Sequence, residues 1–354
     1  MFLKNAWYAA GFSGDLSPGQ LLQRWILGEP VVFFRRPDGT AAALEDRCAH
    51  RGAPLSCGRI EGDAVRCMYH GLKYEPGGKC IEIPGQPRIT ESMKVRAYPV
   101  HETSGWLWVW PGEPAKADPA LVPAAIGFDD PEWDVGGSYM DYQANYVLIN
   151  DNLCDFSHLA FVHVQSFGGG NENAMKIFST TKPDVTKLER GIRVKRWICN
   201  APATKPSELA QGKEVDSLLA YDYLAPGVLL MINANYPAGT AQACDFGIPT
   251  IDPLYADFTS QAVVPLTATT SRYYYTWGPR RRDALPGMKE GMLALAFKAF
   301  TEDRVMIEAQ QRIHDATPHL KMNAIVHDRG PSQMRWVMEK LMKAECEPAA
   351  DVAA

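Results

Sequence analysis

Cys48-Ala49-His50 and Cys67-Met68-Tyr69-His70 each place one thiol and one imidazole on a short segment, with sixteen residues between His50 and Cys67. Gly52 and Gly71 follow the two histidines, and glycine reaches the positive-φ backbone that lets two loops turn tightly around a common ligand. Facing one another, the loops supply two thiolates and two imidazoles. Two metal chemistries take that set: a [2Fe-2S] cluster with both thiolates on one iron and both imidazoles on the other, or a tetrahedral zinc ion. The spacing favours the cluster, because structural zinc sites tend to pair one cysteine with another a few residues away. Cys57, Cys80, Cys154, Cys199, Cys244 and Cys346 have no histidine within two residues and read as small buried hydrophobes.

Around the two boxes the sequence reads as strands. Residues 31–34 and 40–44 flank Pro37-Asp38-Gly39, and residues 72–74 and 80–83 flank Pro76-Gly77-Gly78, turn signals between apolar runs. Trp106-Leu107-Trp108-Val109-Trp110 is a further strand. A small antiparallel β domain over residues 1–120 follows, closed by a Pro-, Ala- and Asp-rich linker without periodicity. The 354-residue chain has room for a second domain, residues 121–347. There, strand-like runs such as 228–232 and 272–277 lie between helical stretches at 151–164 and 288–313. Gly168-Gly169-Gly170 reads as a loop, and residues 348–354 as a flexible tail. The fold class is α+β, an antiparallel β domain followed by a mixed α+β one.

Hydrophobic residues at 46%, charged residues at 22% and a net charge of −5 describe a folded chain with no basic surplus for nucleic acid. Arg280-Arg281-Arg282 is followed at once by Asp283. No run reaches the roughly 18 apolar residues of a membrane span, and the N-terminus lacks a basic start before an apolar stretch. A cytoplasmic location and no membrane partner are expected.

Asp151-Asn152-Leu153-Cys154-Asp155-Phe156-Ser157-His158-Leu159-Ala160-Phe161-Val162-His163 gathers two carboxylates and two imidazoles on one apolar-backed segment. On a helix, Asp155 shares a face with both Asn152 and His158. His158 and His163 would lie about 140° apart on an ideal helix, so one metal reaches both only where the helix bulges or ends between them. A two-histidine, one-carboxylate site needs one more oxygen ligand, and Glu302, Asp303 and Glu308 offer it. Asp303 has Ala296, Ala299, Phe300, Met306 and Ile307 at helical offsets, an apolar face on which a carboxylate requires a partner. Glu302 shares its face with Lys298 and Val305, a solvated pattern with an ion pair at hand. Asp303 is therefore the expected ligand.

Cys48-Ala49-His50-Arg51-Gly52-Ala53-Pro54-Leu55 and Cys67-Met68-Tyr69-His70-Gly71-Leu72 resemble the two cluster-binding boxes of Rieske proteins. The respiratory-chain branch carries an extra, disulfide-forming cysteine in each box; Ala53 and Tyr69 stand in those places, so the resemblance is to the oxygenase or ferredoxin type. The 151–163 segment follows in the same order as in Rieske non-haem iron aromatic oxygenases. Lys4-Asn5-Ala6-Trp7-Tyr8, the tryptophan run to Gly112 and Thr301-Glu302-Asp303-Arg304-Val305 are most similar to the vanillate and dicamba O-demethylase branch. The resemblance implies a helix-grip-like catalytic domain, a [2Fe-2S] cluster on Cys48, His50, Cys67 and His70, and mononuclear Fe(II) on His158, His163 and Asp303. It also implies that Asp155, with Asn152 beside it, links the two centres. His70 of one subunit would meet Asp155 of the next in a homotrimer, the two metal sites of a single chain being too far apart for rapid transfer.

No Gly-x-Gly-x-x-Gly follows a strand, so electrons are expected from NAD(P)H through a separate reductase, with or without a ferredoxin. The expected activity is a monooxygenase that uses O₂ to O-demethylate a methoxylated aromatic acid or phenol, vanillate-like, with release of formaldehyde. The alternatives are ring hydroxylation or N-demethylation of another aromatic, and a Rieske electron carrier without catalysis. Against the carrier stand the long remainder of the chain and the second metal set. Met231, Asn233 and Asn235 share one strand face, which reads as solvated, with Asn233 as a substrate hydrogen-bonding group the alternative.

Overall fold

The computed structural model describes residues 1–170, 176–202 and 213–346; the tail expected at 348–354 lies outside the described residues. The chain forms two compact units, Met1–Pro123 with Val264–Thr269, and Ala124–Val263 with Thr270–Ala354.

The first unit is built from β1 (Tyr8–Phe12), β2 (Leu21–Ile26), β3 (Glu29–Arg35), β4 (Ala41–Glu45), β5 (Arg59–Glu61), β6 (Ala64–Arg66), β7 (Lys73–Tyr74), β8 (Cys80–Glu82), β9 (Ala97–Tyr98), β10 (Val100–Thr103) and β11 (Trp106–Val109). They form three small sheets, ordered β1-β11-β10, β2-β3-β4-β9 and β5-β6-β7-β8. Both expected hairpins are present, β3 with β4 and β7 with β8. Val32, Phe34, Leu44, Leu55, Val65, Leu72 and Tyr74 form a core that also contains Cys48 and Cys67. Each large side chain fully buried there stabilises the fold by about 1.5–3 kcal/mol, so the two boxes are anchored on a rigid base.

The second unit carries a seven-stranded sheet of β12 (Gly136–Tyr142), β13 (Asp184–Leu188), β14 (Gly191–Pro202), β15 (Glu214–Leu224), β16 (Val228–Pro237), β17 (Tyr255–Pro265) and β18 (Ser271–Pro279), in the order β12-β18-β17-β16-β15-β14-β13. A long helix, Met288–Ala316, packs on β12 and β18. Its buried stripe runs Met292, Ala296, Ala299, Asp303, Ile307, Gln311, the three-and-four spacing of one helix face, with Asp303 the carboxylate on it. Met306, expected on that face, is 58% exposed, because its position falls one residue short of the stripe. A C-terminal helix, Arg329–Cys346, packs against β13, β14 and the helix Tyr146–Cys154. Cys80 and Cys154 are buried, but Cys57 and Cys346 are exposed, so the buried reading is corrected for those two; they lie on a short surface turn and on a helix end. Among the described residues no helix is long and apolar enough to cross a membrane.

Candidate functional site

The two boxes fold as matched turns. The Gly52 N–H donates to the Cys48 carbonyl at 2.9 Å and the Cys48 N–H to Ala53 at 2.8 Å; the Gly71 N–H donates to Cys67 at 3.0 Å and the Cys67 N–H to Leu72 at 2.8 Å. Gly71 has a φ of +77°, and a Cβ there would stand 2.7 Å from Cγ of Pro84. Gly71→Ala is expected to destabilise the second loop by about 1–2 kcal/mol from its backbone alone, read as a lower thermal midpoint of the cluster's visible circular dichroism.

Cys48 and Cys67 are 3% and 1% exposed, whereas His50 and His70 stand at the surface with ring centroids 4.6 Å apart. The Tyr74 hydroxyl lies 3.2 Å from Cys48 Sγ and accepts the Ala49 N–H at 3.1 Å. Burial raises the Cys67 thiol above its ordinary pKa and the adjacent Cys48 adds to the rise, so metal charge is what favours the Cys67 thiolate. Desolvation, His50 and Arg51 lower His70, which leaves its ring able to ligate. One tetrahedral ion would need all four donors within about 4 Å of one another. Among the described residues the grouping whose donors all lie within 4.8 Å is instead His158, His163 and Asp303. The spread donor set of the boxes fits a two-iron cluster.

The second site arises from a broken helix. Asn145 caps the helix Tyr146–Cys154, its side chain accepting the Val147 N–H at 2.9 Å, and the helix stops at Asp155, φ −138° and ψ 113°. Aspartate caps a helix better than it propagates one. Its two carboxylate oxygens accept the Ser157 N–H and Oγ–H, each at 2.8 Å, and start a tight turn, Phe156–His158, followed by the helical turn Leu159–Val162. The continuous helix expected over 151–164 is corrected, and Asp155 and His158 do not share a helix face. His163 falls just past the helical turn, the ending that lets both imidazoles serve one metal.

The two histidine rings then lie 5.3 Å apart. Asp303 Oδ1 is 3.5 Å from His158 Nε2 and 3.3 Å from His163 Nε2. Asn152 Nδ2 donates to the same oxygen at 3.1 Å and stands 3.4 Å from His158 Nε2. Asp151 is turned to Arg335, and Glu308 accepts the Gln143 N–H at 2.9 Å. Two nitrogens and one carboxylate on one side of a point form the donor set of non-haem ferrous sites.

Both rings are oriented from behind. His158 Nδ1 donates to the backbone carbonyl of Asp155 at 2.6 Å, while the Asp155 carboxylate is held by Ser157. His163 Nδ1 donates to Glu302 Oε2 at 2.9 Å, which also accepts Ser166 Oγ–H at 2.6 Å. Each bond fixes the tautomer that leaves Nε2 free toward Asp303. Burial lowers the pKa of His158, and Asp303 only partly opposes it. Burial also lowers His163, but Asp303 and Glu302 more than offset it and the net shift is upward. Glu302 is thus not on a solvated face, and Lys298 donates to the Gln165 carbonyl at 2.6 Å instead. Glu302→Gln is expected to weaken ferrous iron binding by roughly 10- to 100-fold, the usual effect of losing a ligand's supporting carboxylate. Iron retained after dialysis against a ferrous chelator checks this, and unchanged retention would count against an orienting role.

Met231, Asn233 and Asn235 do not form a solvated face. They stand in register with Tyr221, Leu219 and Ser217, and the hydroxyls of Tyr221 and Tyr223 reach back to Cys154 O and Asn150 Oδ1, at 3.4 and 2.7 Å. This side of the sheet is therefore covered by the helix that leads into the triad. Asn235 is buried and accepts from Ser217 Oγ at 2.8 Å; Asn233 is half-buried opposite buried Asp257. Asp257 accepts Trp277 Nε1–H at 2.8 Å, and Trp277, Phe167 and His163 form a chain of ring contacts. Asn233 thus lies on the covered side of the sheet, paired across the strands with Asp257.

A one-electron cluster and an oxygen-activating triad on one chain define an iron–sulfur oxygenase. Residues 6–99 match the Rieske [2Fe-2S] domain and residues 142–344 the vanillate O-demethylase oxygenase C-terminal domain. The chain belongs to the Rieske non-haem iron oxygenases of the vanillate O-demethylase type. It is similar to the toluene-4-sulfonate monooxygenase system iron-sulfur subunit TsaM1 of Comamonas testosteroni, at 37% identity with 98% of each chain covered. It also resembles the vanillate O-demethylase oxygenase subunit of Pseudomonas sp. (strain HR199 / DSM 7063), at 33% identity over 100% of this chain and 98% of the other. Dicamba monooxygenase bound to 3,6-dichlorosalicylic acid superposes with a TM-score of 0.85 at 28% identity, covering 98% of this chain and 99% of that one. The protein is an oxygenase component of a multi-component system that works with a separate reductase. Its cofactors are a [2Fe-2S] cluster and mononuclear iron, with NAD(P)H acting indirectly.

Proposed function

We propose that the protein O-demethylates a methoxylated aromatic acid or phenol in the cytoplasm, with O₂ and with electrons from NAD(P)H through a reductase, with or without a ferredoxin. The observation that carries this is the His158, His163 and Asp303 triad within a catalytic domain of vanillate O-demethylase type. Cys48, His50, Cys67 and His70 hold the cluster. When bound, the cluster supplies electrons singly and ferrous iron activates O₂ beside the substrate.

The chain's own groups do the rest. Asp303 and the two Nε2 atoms would hold the metal. Asn152, donating to Asp303 Oδ1, fixes that carboxylate. Glu302 and the Asp155 carbonyl hold the imidazoles, and Phe167 and Trp277 screen His163 from water with an aromatic wall. In this reading Asn233, half-buried on its strand, hydrogen-bonds a ring substituent. A hydroxylated methoxy carbon is a hemiacetal, which collapses to a phenol and formaldehyde without any covalent bond to the enzyme.

The protein assembles as a homotrimer in which His70 of one subunit serves Asp155 of the next. His70 is exposed and Asp155 half-exposed, which suits that contact. The similarity to a toluene-4-sulfonate monooxygenase subunit favours a second reading, hydroxylation of a ring methyl on an aromatic sulfonate. A panel of methoxy- and methyl-substituted aromatic acids and sulfonates, turned over with a reductase, tests both. Formaldehyde with a demethylated phenol supports the first; a product one oxygen heavier without formaldehyde supports the second.

A further inference from the structure

Arg196, on β14, is 4% exposed, yet among the described residues no carboxylate is in ion-pair contact with it, Asp155 acting on it only through its charge at longer range. One Nη donates to the Phe178 carbonyl at 3.1 Å, the guanidinium lies 5.2 Å over the Phe178 ring, and the buried Nε has no hydrogen-bond partner among the described residues. A guanidinium withdrawn from water normally needs an anion against it. The charge faces a cavity of about 270 Å³, near the lower end of ligand-sized pockets. Lys182, His327 and Arg329 stand around the same cavity. Its carboxylate, Asp155, has both oxygens engaged by Ser157 and pairs with none of these cations. Phe156 and Tyr221, whose rings lie 5.0 Å apart, give the cavity an aromatic lining. His158, His163 and Asp303 do not line it.

We propose that this cavity is a second binding site, separate from the iron triad, for a small organic anion: a carboxylate or sulfonate on a single ring. Arg196 presents the planar fork that takes such groups through paired hydrogen bonds, Lys182 and Arg329 add charge at the rim, and Phe156 and Tyr221 take the ring. The inference does not depend on which substrate is oxidised at the triad.

4-Bromobenzenesulfonate is a suitable probe, titrated calorimetrically into the holoenzyme and soaked into its crystals. A bromine anomalous peak against Phe156 and Tyr221 is expected, with binding weaker by roughly thirtyfold or more in Arg196→Met, as when one partner of a buried charge pair is truncated. If Arg196→Met does not fold, the rim variant Lys182→Ala with Arg329→Ala should weaken the same event. A peak only at the triad, binding unchanged in these variants, or equal binding of neutral 4-bromobenzenesulfonamide would overturn the proposal. Inorganic sulfate binding as tightly as the aromatic sulfonate would also overturn it, since the ring wall would then contribute nothing.

Discussion

Asp303→Ala removes the mononuclear iron and leaves the cluster in place, so iron content falls from about three atoms per chain to about two while the cluster's EPR signal is unchanged. Turnover disappears with the third iron. Asp303 Oδ1 is the atom that both Nε2 donors approach, at 3.5 and 3.3 Å, and two imidazoles alone hold ferrous iron weakly. The substitution also leaves Asn152 Nδ2 without its acceptor. The neighbouring carboxylate supplies the control. Glu302 touches His163 at Nδ1, the side away from the metal, so Glu302→Ala should retain iron at high ferrous concentration and lose it on dialysis. Full iron in Asp303→Ala, with iron lost beyond rescue in Glu302→Ala, would exchange the two roles.

Why Asp303 was readable and Glu302 was not follows from where their partners lie. Asp303 interrupts an apolar stripe along a single helix, and a charge on such a stripe is visible in local sequence. Glu302 faces His163 and Ser166, more than a hundred positions away, and nothing nearby in the sequence marks that contact; Lys298 at four residues' distance even offered a false partner. The two cysteine–histidine boxes were legible because each is a closed local turn, with the glycine that the turn requires. The break at Asp155 had a local sign as well, an aspartate two residues before a serine, but the apolar residues on either side continue a helical pattern across it. The sheet face carrying Asn233 was misread for a different reason. Alternation tells which residues share a face, whereas only the folded chain tells that the helix Tyr146–Cys154 covers it.

A mixture of two inactive variants should recover activity. His70→Ala lacks a competent cluster but keeps its triad; Asp303→Ala keeps its cluster but lacks the iron. Neither chain contains a complete path, so transfer confined to one chain gives no turnover in any mixture. In a closed ring of three, each triad is served by the cluster of one neighbour. An equal, randomly exchanged mixture should then regain about a quarter of the wild-type active sites, since half the chains carry iron and half of those follow a cluster-bearing neighbour. The local structure suits such a contact. His70 is exposed, its ring tilted against that of Tyr69 with centroids 4.1 Å apart; Tyr69 is itself 63% exposed and Met68 beside it 52%, so the imidazole and its flanks are open to another chain. Rapid-quench measurement of single-turnover product, with mixed trimers verified by differently tagged subunits, reads the result. No recovery in verified mixed trimers would place electron transfer within the chain and remove the role given to the exposed histidine.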